Sequence, residues 1–111
     1  MANTFTVNLS PALAAELVRD GVEGRSFTGE LIDHYAIGEE DGGRCIVLVF
    51  EKHYSRVGNR LTLTVTIDDL SGKTRVHTVG GGGGEGLFGF DWGAADSFEQ
   101  MAVSALDEYR F

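Results

Sequence analysis

Between Arg60 and Asp68 the chain alternates without a break: Leu61, Leu63, Val65 and Ile67 on one parity, Thr62, Thr64, Thr66 and Asp68 on the other. An extended backbone sends successive side chains to opposite faces, so this pattern demands a sheet with one apolar and one polar face. A helix would scatter the same residues around its circumference. Ser71-Gly72 can then serve as a two-residue hairpin loop. That register sets Ile67 opposite Val76 on the apolar face. It also sets Asp68 opposite Arg75 on the polar face, an attractive cross-strand charge pair. The returning strand is expected from Lys73 to Val79.

The rest of the chain supplies partners for such a sheet. Phe5, Val7 and Leu9 alternate with Thr4, Thr6 and Asn8, a short strand with one buried face. Ser10-Pro11 then starts a helix: the serine hydroxyl accepts an orphan N–H, and proline has no N–H to satisfy. Leu13, Ala14, Leu17 and Val18 form its apolar stripe, Leu9 can staple onto its first turn, and Gly21 is the expected stop after Asp20. Ser26 to Ile37 reads as extended, and Arg44 to Tyr54 as a second long strand. The apolar run from Cys45 to Phe50 occupies both parities, as in a central strand or one covered on both faces. Near the end, Phe98, Met101, Ala102, Ala105, Leu106 and Tyr109 recur at helical spacing, with Asp96 or Ser97 as cap and Glu99 or Gln100 completing a capping box. The expectation is one α+β domain over residues 1–111, in the order strand, helix, four antiparallel strands, helix. Both helices pack on one face of the sheet in two layers.

Charge narrows the partners. The net charge is −8 and the nine Lys and Arg residues are scattered, so a polyanionic backbone is repelled and nucleic acid is excluded as a partner. No apolar run approaches the ~20 residues of a membrane-crossing helix, and no signal segment is evident. The single Cys45 cannot close an internal disulfide; it reads as an inert core thiol, and the expected compartment is the cytoplasm.

Chemistry-bearing residues are sparse. Gly84-Glu85-Gly86-Leu87-Phe88-Gly89 has the spacing G-x-G-x-x-G, but a dinucleotide fingerprint needs a strand-to-helix turn inside a βαβ unit. A P-loop lysine is missing, and Glu85 and Asp91 would repel phosphate. No cofactor is assigned. His34, His53 and His77 fall on different strands with no metal-ligand spacing, so no metal site and no catalytic residue are assigned. Glu39-Glu40-Asp41 is a solvated hairpin tip. Asp33 falls on the core parity of its strand and therefore implies a functional carboxylate, a sheet edge or a bulge, with the structural readings favoured.

Between Gly80 and Gly93 glycine fills eight of fourteen positions. The expectation is a polyglycine hinge that cannot be a strand centre, followed by an anchored segment carrying Leu87, Phe88, Phe90 and Trp92. That segment could plug the core, close over a small ligand or contact another chain. His77 and Arg75 share the polar face beside it with Thr64 and Thr66, where they could hold a small anion. The candidate ligand or interface residues are therefore Arg75, His77, Gly84, Gly86, Phe88, Phe90, Asp91 and Trp92.

The stretch 80–98, GGGGGEGLFGFDWGAADSF, resembles the C-terminal signature of a family of small uncharacterised bacterial proteins, and the opening strand and helix with Ser10-Pro11 are similar too. The resemblance implies a stand-alone cytoplasmic bacterial protein and transfers no catalytic residue. The reading that best joins these features is a non-enzymatic binding or assembly module that self-associates as a homo-oligomer. The alternative is a small-ligand-binding protein or small enzyme with a pocket under the glycine-rich loop.

Overall fold

The computed structural model describes residues 2–25, 29–38, 43–53, 60–83 and 92–111; the side chains of Arg25 and Trp92 lie outside that description. Five strands, β1 (Ala2–Val7), β2 (Gly29–Gly38), β3 (Arg44–His53), β4 (Arg60–Asp68) and β5 (Thr74–Gly83), form one antiparallel sheet in the order β1-β5-β4-β3-β2. Two helices, α1 (Pro11–Arg25) and α2 (Trp92–Ala105), pack side by side on one face, α2 over β5 and β4 and α1 towards β3 and β2. The expected α+β order and two-layer arrangement are what the chain adopts.

The alternation of β4 is realised in full. Leu61, Leu63, Val65 and Ile67 are buried under the helices with Phe50, Leu48, Val76, Phe98 and Leu106. The predicted register holds, Ile67 opposite Val76 and Asp68 opposite Arg75. The connection is longer than two residues: Gly72 N–H donates to Asp69 O at 3.0 Å, and Gly72 takes φ +94°, which glycine adopts without a Cβ penalty. Ser10 caps α1 as expected, with Leu13 N–H donating to its Oγ at 3.2 Å.

Several boundaries differ, and each difference has a packing cause. α1 does not stop at Asp20 but runs through Gly21 to Arg25. A Cβ on Gly21 would sit 2.6 Å from Ala105 Cβ, so this glycine marks the closest approach of the two helices and not a C-cap. The buried stripe of α1 is Ala14, Ala15, Val18 and Val22, while Leu13 is 44% exposed.

β5 continues through Gly80 to Gly83, pairing them with Leu63, Thr62, Leu61 and Arg60. Glycine is tolerated mid-strand because α2 lies almost on the backbone: a Cβ on Gly80 would stand 2.7 Å from Ala95 O. α2 accordingly begins at Trp92, so Asp96 and Ser97 are inside the helix and do not cap it, and Glu99 is buried instead of answering a cap. Cys45 is half-buried on the face away from the helices, not in the core. Asp33 sits beyond a bulge: the register shifts between Leu31 and Asp33, which carries Asp33 to the solvent side.

The C-terminal segment covers one sheet edge. A 3₁₀ turn at Asp107–Tyr109 leads to a bridge between Arg110 and Val7. Asn8 N–H donates to Tyr109 O at 2.8 Å and Phe111 N–H to Thr6 O at 3.2 Å. The opposite edge, β2, carries the bulge, a usual device against edge-to-edge pairing.

Candidate functional site

The strand registers define what the face of the sheet away from the helices presents, a face that no other described element covers. Reading across from β2 to β1, one row is Ile37, Cys45, Asp68, Arg75 and Thr6. The next is Tyr35, Val47, Thr66, His77 and Thr4, and the third Asp33, Val49, Thr64, Val79 and Ala2. The face is thus divided. Its β2–β3 end is mainly apolar, with Tyr35 57% and Ile37 55% exposed beside the half-buried Val47 and Val49, and exposed Asp33 at its corner. Its β4–β5–β1 end is a carpet of threonines around His77 and Arg75.

The two cation candidates are both engaged by neighbours. Arg75 lies against Asp68, its Nη2 3.1 Å from Oδ1 and its Nε 3.3 Å from Oδ2. Asp68 is buried, and its Oδ1 also accepts from Leu70 N–H at 3.2 Å, so the pair fastens the β4–β5 turn. His77 Nδ1 is 2.7 Å from Thr4 Oγ1, a cross-strand contact to the edge strand β1. His77 and Arg75 do share one face, as the alternation predicts, but each is tied to its neighbour and they do not converge. Among the described residues no group of three or more His, Cys, Asp and Glu side chains could hold a metal ion.

Beneath the glycines of β5, on the helix side, lies a polar group in the core. Glu99 of α2 is fully buried. Its Oε1 accepts from Thr78 Oγ1 at 2.6 Å and from Asn3 Nδ2 at 2.7 Å, joining α2 to β5 and β1. A buried carboxyl is tolerated where it is hydrogen-bonded. At 100° per residue Glu99 falls about 20° from Leu106, at the flank of the apolar stripe. The sequence signal was therefore present, but the assumed helix start concealed it.

Of the other predicted site residues, Gly84, Gly86, Phe88, Phe90 and Asp91 lie outside the described residues. Trp92 opens α2. What the described surface offers is contact area at the β2–β3 end, on the second parity of the apolar run Cys45 to Phe50. Its apolar residues, Tyr35, Ile37, Val47 and Val49, stand on the parity opposite the helix-facing residues of the same strands.

A family model described as "Family of unknown function (DUF6054)" matches residues 1–110. No curated protein and no solved structure matches the chain. The chain belongs to the DUF6054 family of unknown function.

Proposed function

We propose that this protein is an assembly module whose uncovered sheet face packs against the same face of a second copy. The observation that carries the reading is the apolar end of that face, where Tyr35 and Ile37 stand more than half exposed over Val47 and Val49. Apolar side chains clustered on an antiparallel sheet are favourably removed from water, and a second sheet at roughly 10 Å spacing is a geometry that removes them. An isologous pair whose two-fold axis runs across the strands, along the row that holds Tyr35 and Val47, brings those residues of one copy onto the same residues of the other. The threonine rows then form the polar rim.

The dimensions limit the strength of such a contact. Strands about 4.8 Å apart and four rows about 6.8 Å apart, the three above and a fourth that runs through Glu51, Thr62 and Gly81, give a footprint of at most roughly 650 Å² per copy. Two copies bury at most roughly 1,300 Å², near the lower end for specific complexes. The expected dimer therefore dissociates on dilution. Light scattering across a concentration series should move from twice the 12.0 kDa chain mass towards that mass itself. Tyr35→Glu with Ile37→Glu should be monomeric throughout with an unchanged circular dichroism spectrum. In the native dimer the half-buried Cys45 on this face should react more slowly with a maleimide than in that variant. A monomer at every concentration sinks the reading.

A further inference from the structure

α1 does not cover the whole helix side of β2 and β3, and the gap is a groove of about 340 Å³. Its floor is apolar, built from Ala15, Ile46 and Leu48, which are buried. Its rim is basic: Arg19 from α1, His34 from β2 and Arg44 from β3, against one acid, Glu16. In a chain with nine Lys and Arg residues and net charge −8, two arginines around one hollow that holds a single carboxylate are a local excess of positive charge. Concave apolar sites with a few directed polar groups are the usual form of small-molecule pockets, and this volume lies at the lower end of their range.

The cations differ in what they can offer. Arg19 Nε is 2.9 Å from Glu23 Oε1, and that hydrogen bond holds the Glu23 carboxyl below its ordinary range. Arg44 is placed otherwise. Its main-chain N–H donates to Asp69 Oδ1 at 2.7 Å, fixing the backbone. Its stem crosses Gly38, where a Cβ would stand 2.8 Å from Arg44 Cγ. Among the described residues its guanidinium has no ion-pair partner.

We propose that this groove binds a small amphipathic carboxylic acid, its carboxylate on Arg44 and its short apolar body on Ala15, Ile46 and Leu48. The guanidinium fork matches a carboxylate bidentately. A multiply charged phosphate ester is disfavoured, because Glu16 shares the rim, Arg19 is engaged by Glu23 and the whole chain is acidic. The site lies on the opposite side of the sheet from the face proposed for assembly and does not depend on it.

Sodium octanoate is a suitable probe, followed by amide chemical shifts of the full chain. Saturable submillimolar binding is expected, with the largest shifts at Ala12, Ala36 and Ile46. Arg44→Gln should weaken it roughly tenfold or more, the loss of a charge-assisted hydrogen-bonded pair. Ala36→Phe, at an exposed position on the groove wall, should block it without unfolding the chain. Octyl alcohol should bind more weakly than octanoate, and inorganic phosphate should not compete. Absence of saturable binding, unchanged affinity in Arg44→Gln, effective competition by phosphate, or shifts centred on Tyr35 and Val47 would each overturn the proposal.

Discussion

Replacing Gly80 and Gly81 by alanine, one at a time, tests the seating of α2 on β5. Both glycines lie in the same strand, one residue apart, and so point to opposite faces. Alanine reduces the freedom of the unfolded chain, a gain of roughly 0.5–1 kcal/mol wherever the folded backbone accepts it. At Gly81 the new methyl would meet only Thr62 Oγ1, at 3.5 Å, an ordinary contact, so the gain should be kept. At Gly80 it would stand 2.7 Å from the main-chain oxygen of Ala95 and 3.4 Å from Glu99 Oε2. A helix backbone cannot rotate away as a side chain can, so α2 must shift, and overpacking of this kind costs roughly 1–3 kcal/mol. Net, Gly80→Ala should lose about 1–2 kcal/mol and Gly81→Ala should gain about 0.5–1 kcal/mol. For a domain near this size each kcal/mol moves the midpoint by about 4 °C, so the two variants should straddle the parent by about 6–12 °C. Urea denaturation followed by far-ultraviolet circular dichroism, with thermal melts beside it, measures both. If the two substitutions shift stability in the same direction by the same amount, α2 does not rest on Gly80 and the explanation of the glycine strand is wrong.

Two further substitutions probe the joints between layers. Gly21→Ala should destabilise although alanine is the better helix former by about 1 kcal/mol, because its methyl meets Ala105 Cβ at 2.6 Å; Ala105→Gly in the same chain should recover more stability than the two single effects sum to, read by the same denaturation assay. Glu99→Leu should cost roughly 1–3 kcal/mol more than Glu99→Gln, since the amide keeps an acceptor for Thr78 and Asn3 and the leucine leaves the buried Thr78 hydroxyl without one; equal midpoints for the two variants would show that the hydrogen bonds to Oε1 contribute nothing.

The sheet was legible because its signals are local. The alternation in β4 and the pairing of Asp68 with Arg75 could be read along the chain, and both are present. The Ser10 cap and the apolar stripe from Phe98 were legible for the same reason, although the helix stops at Ala105 and Tyr109 at the end of the stripe lies in the 3₁₀ turn. What failed were the judgements about Gly21 and about the glycines that follow Val79. Gly21 reads as a helix stop and Gly80 to Gly84 as a hinge, yet Gly21 lies inside a helix and Gly80 to Gly83 inside a strand. A glycine in sequence announces that something needs room; it does not say whether that is the backbone's own conformation or a neighbour's approach. Gly72 and Gly82, with positive φ, answer one way, and Gly21 and Gly80, beside α2, the other. The α1 groove was invisible for a related reason. His34, Arg19 and Arg44 come from three elements, and only the position at which α1 crosses the sheet brings them together.

That crossing also determines where unsatisfied surface collects. Two helices packed side by side at the close spacing a Gly21–Ala105 contact permits cover roughly 18 Å of sheet, taking about 8 Å between axes and a helix width of about 10 Å. Five strands at about 4.8 Å span roughly 24 Å. The pair cannot reach both edges. α2 is held over β5 and β4 by the absence of a Cβ at Gly80 and by Glu99, whose carboxyl accepts from both β5 and β1. The shortfall therefore falls entirely at β2. Every residue from Ile32 to Gly38 is exposed, on both faces of that strand, while the β1 edge is sealed by the C-terminal residues. One face of β2 contributes Tyr35 and Ile37 to the apolar patch; the other contributes His34 and Ala36 to the groove. A strand serving only stability would gain from a third helix there. This chain instead leaves Tyr35, Ile37, His34 and Ala36 of β2 exposed, so β2 is the strand at which the two proposals, assembly and small-acid binding, meet.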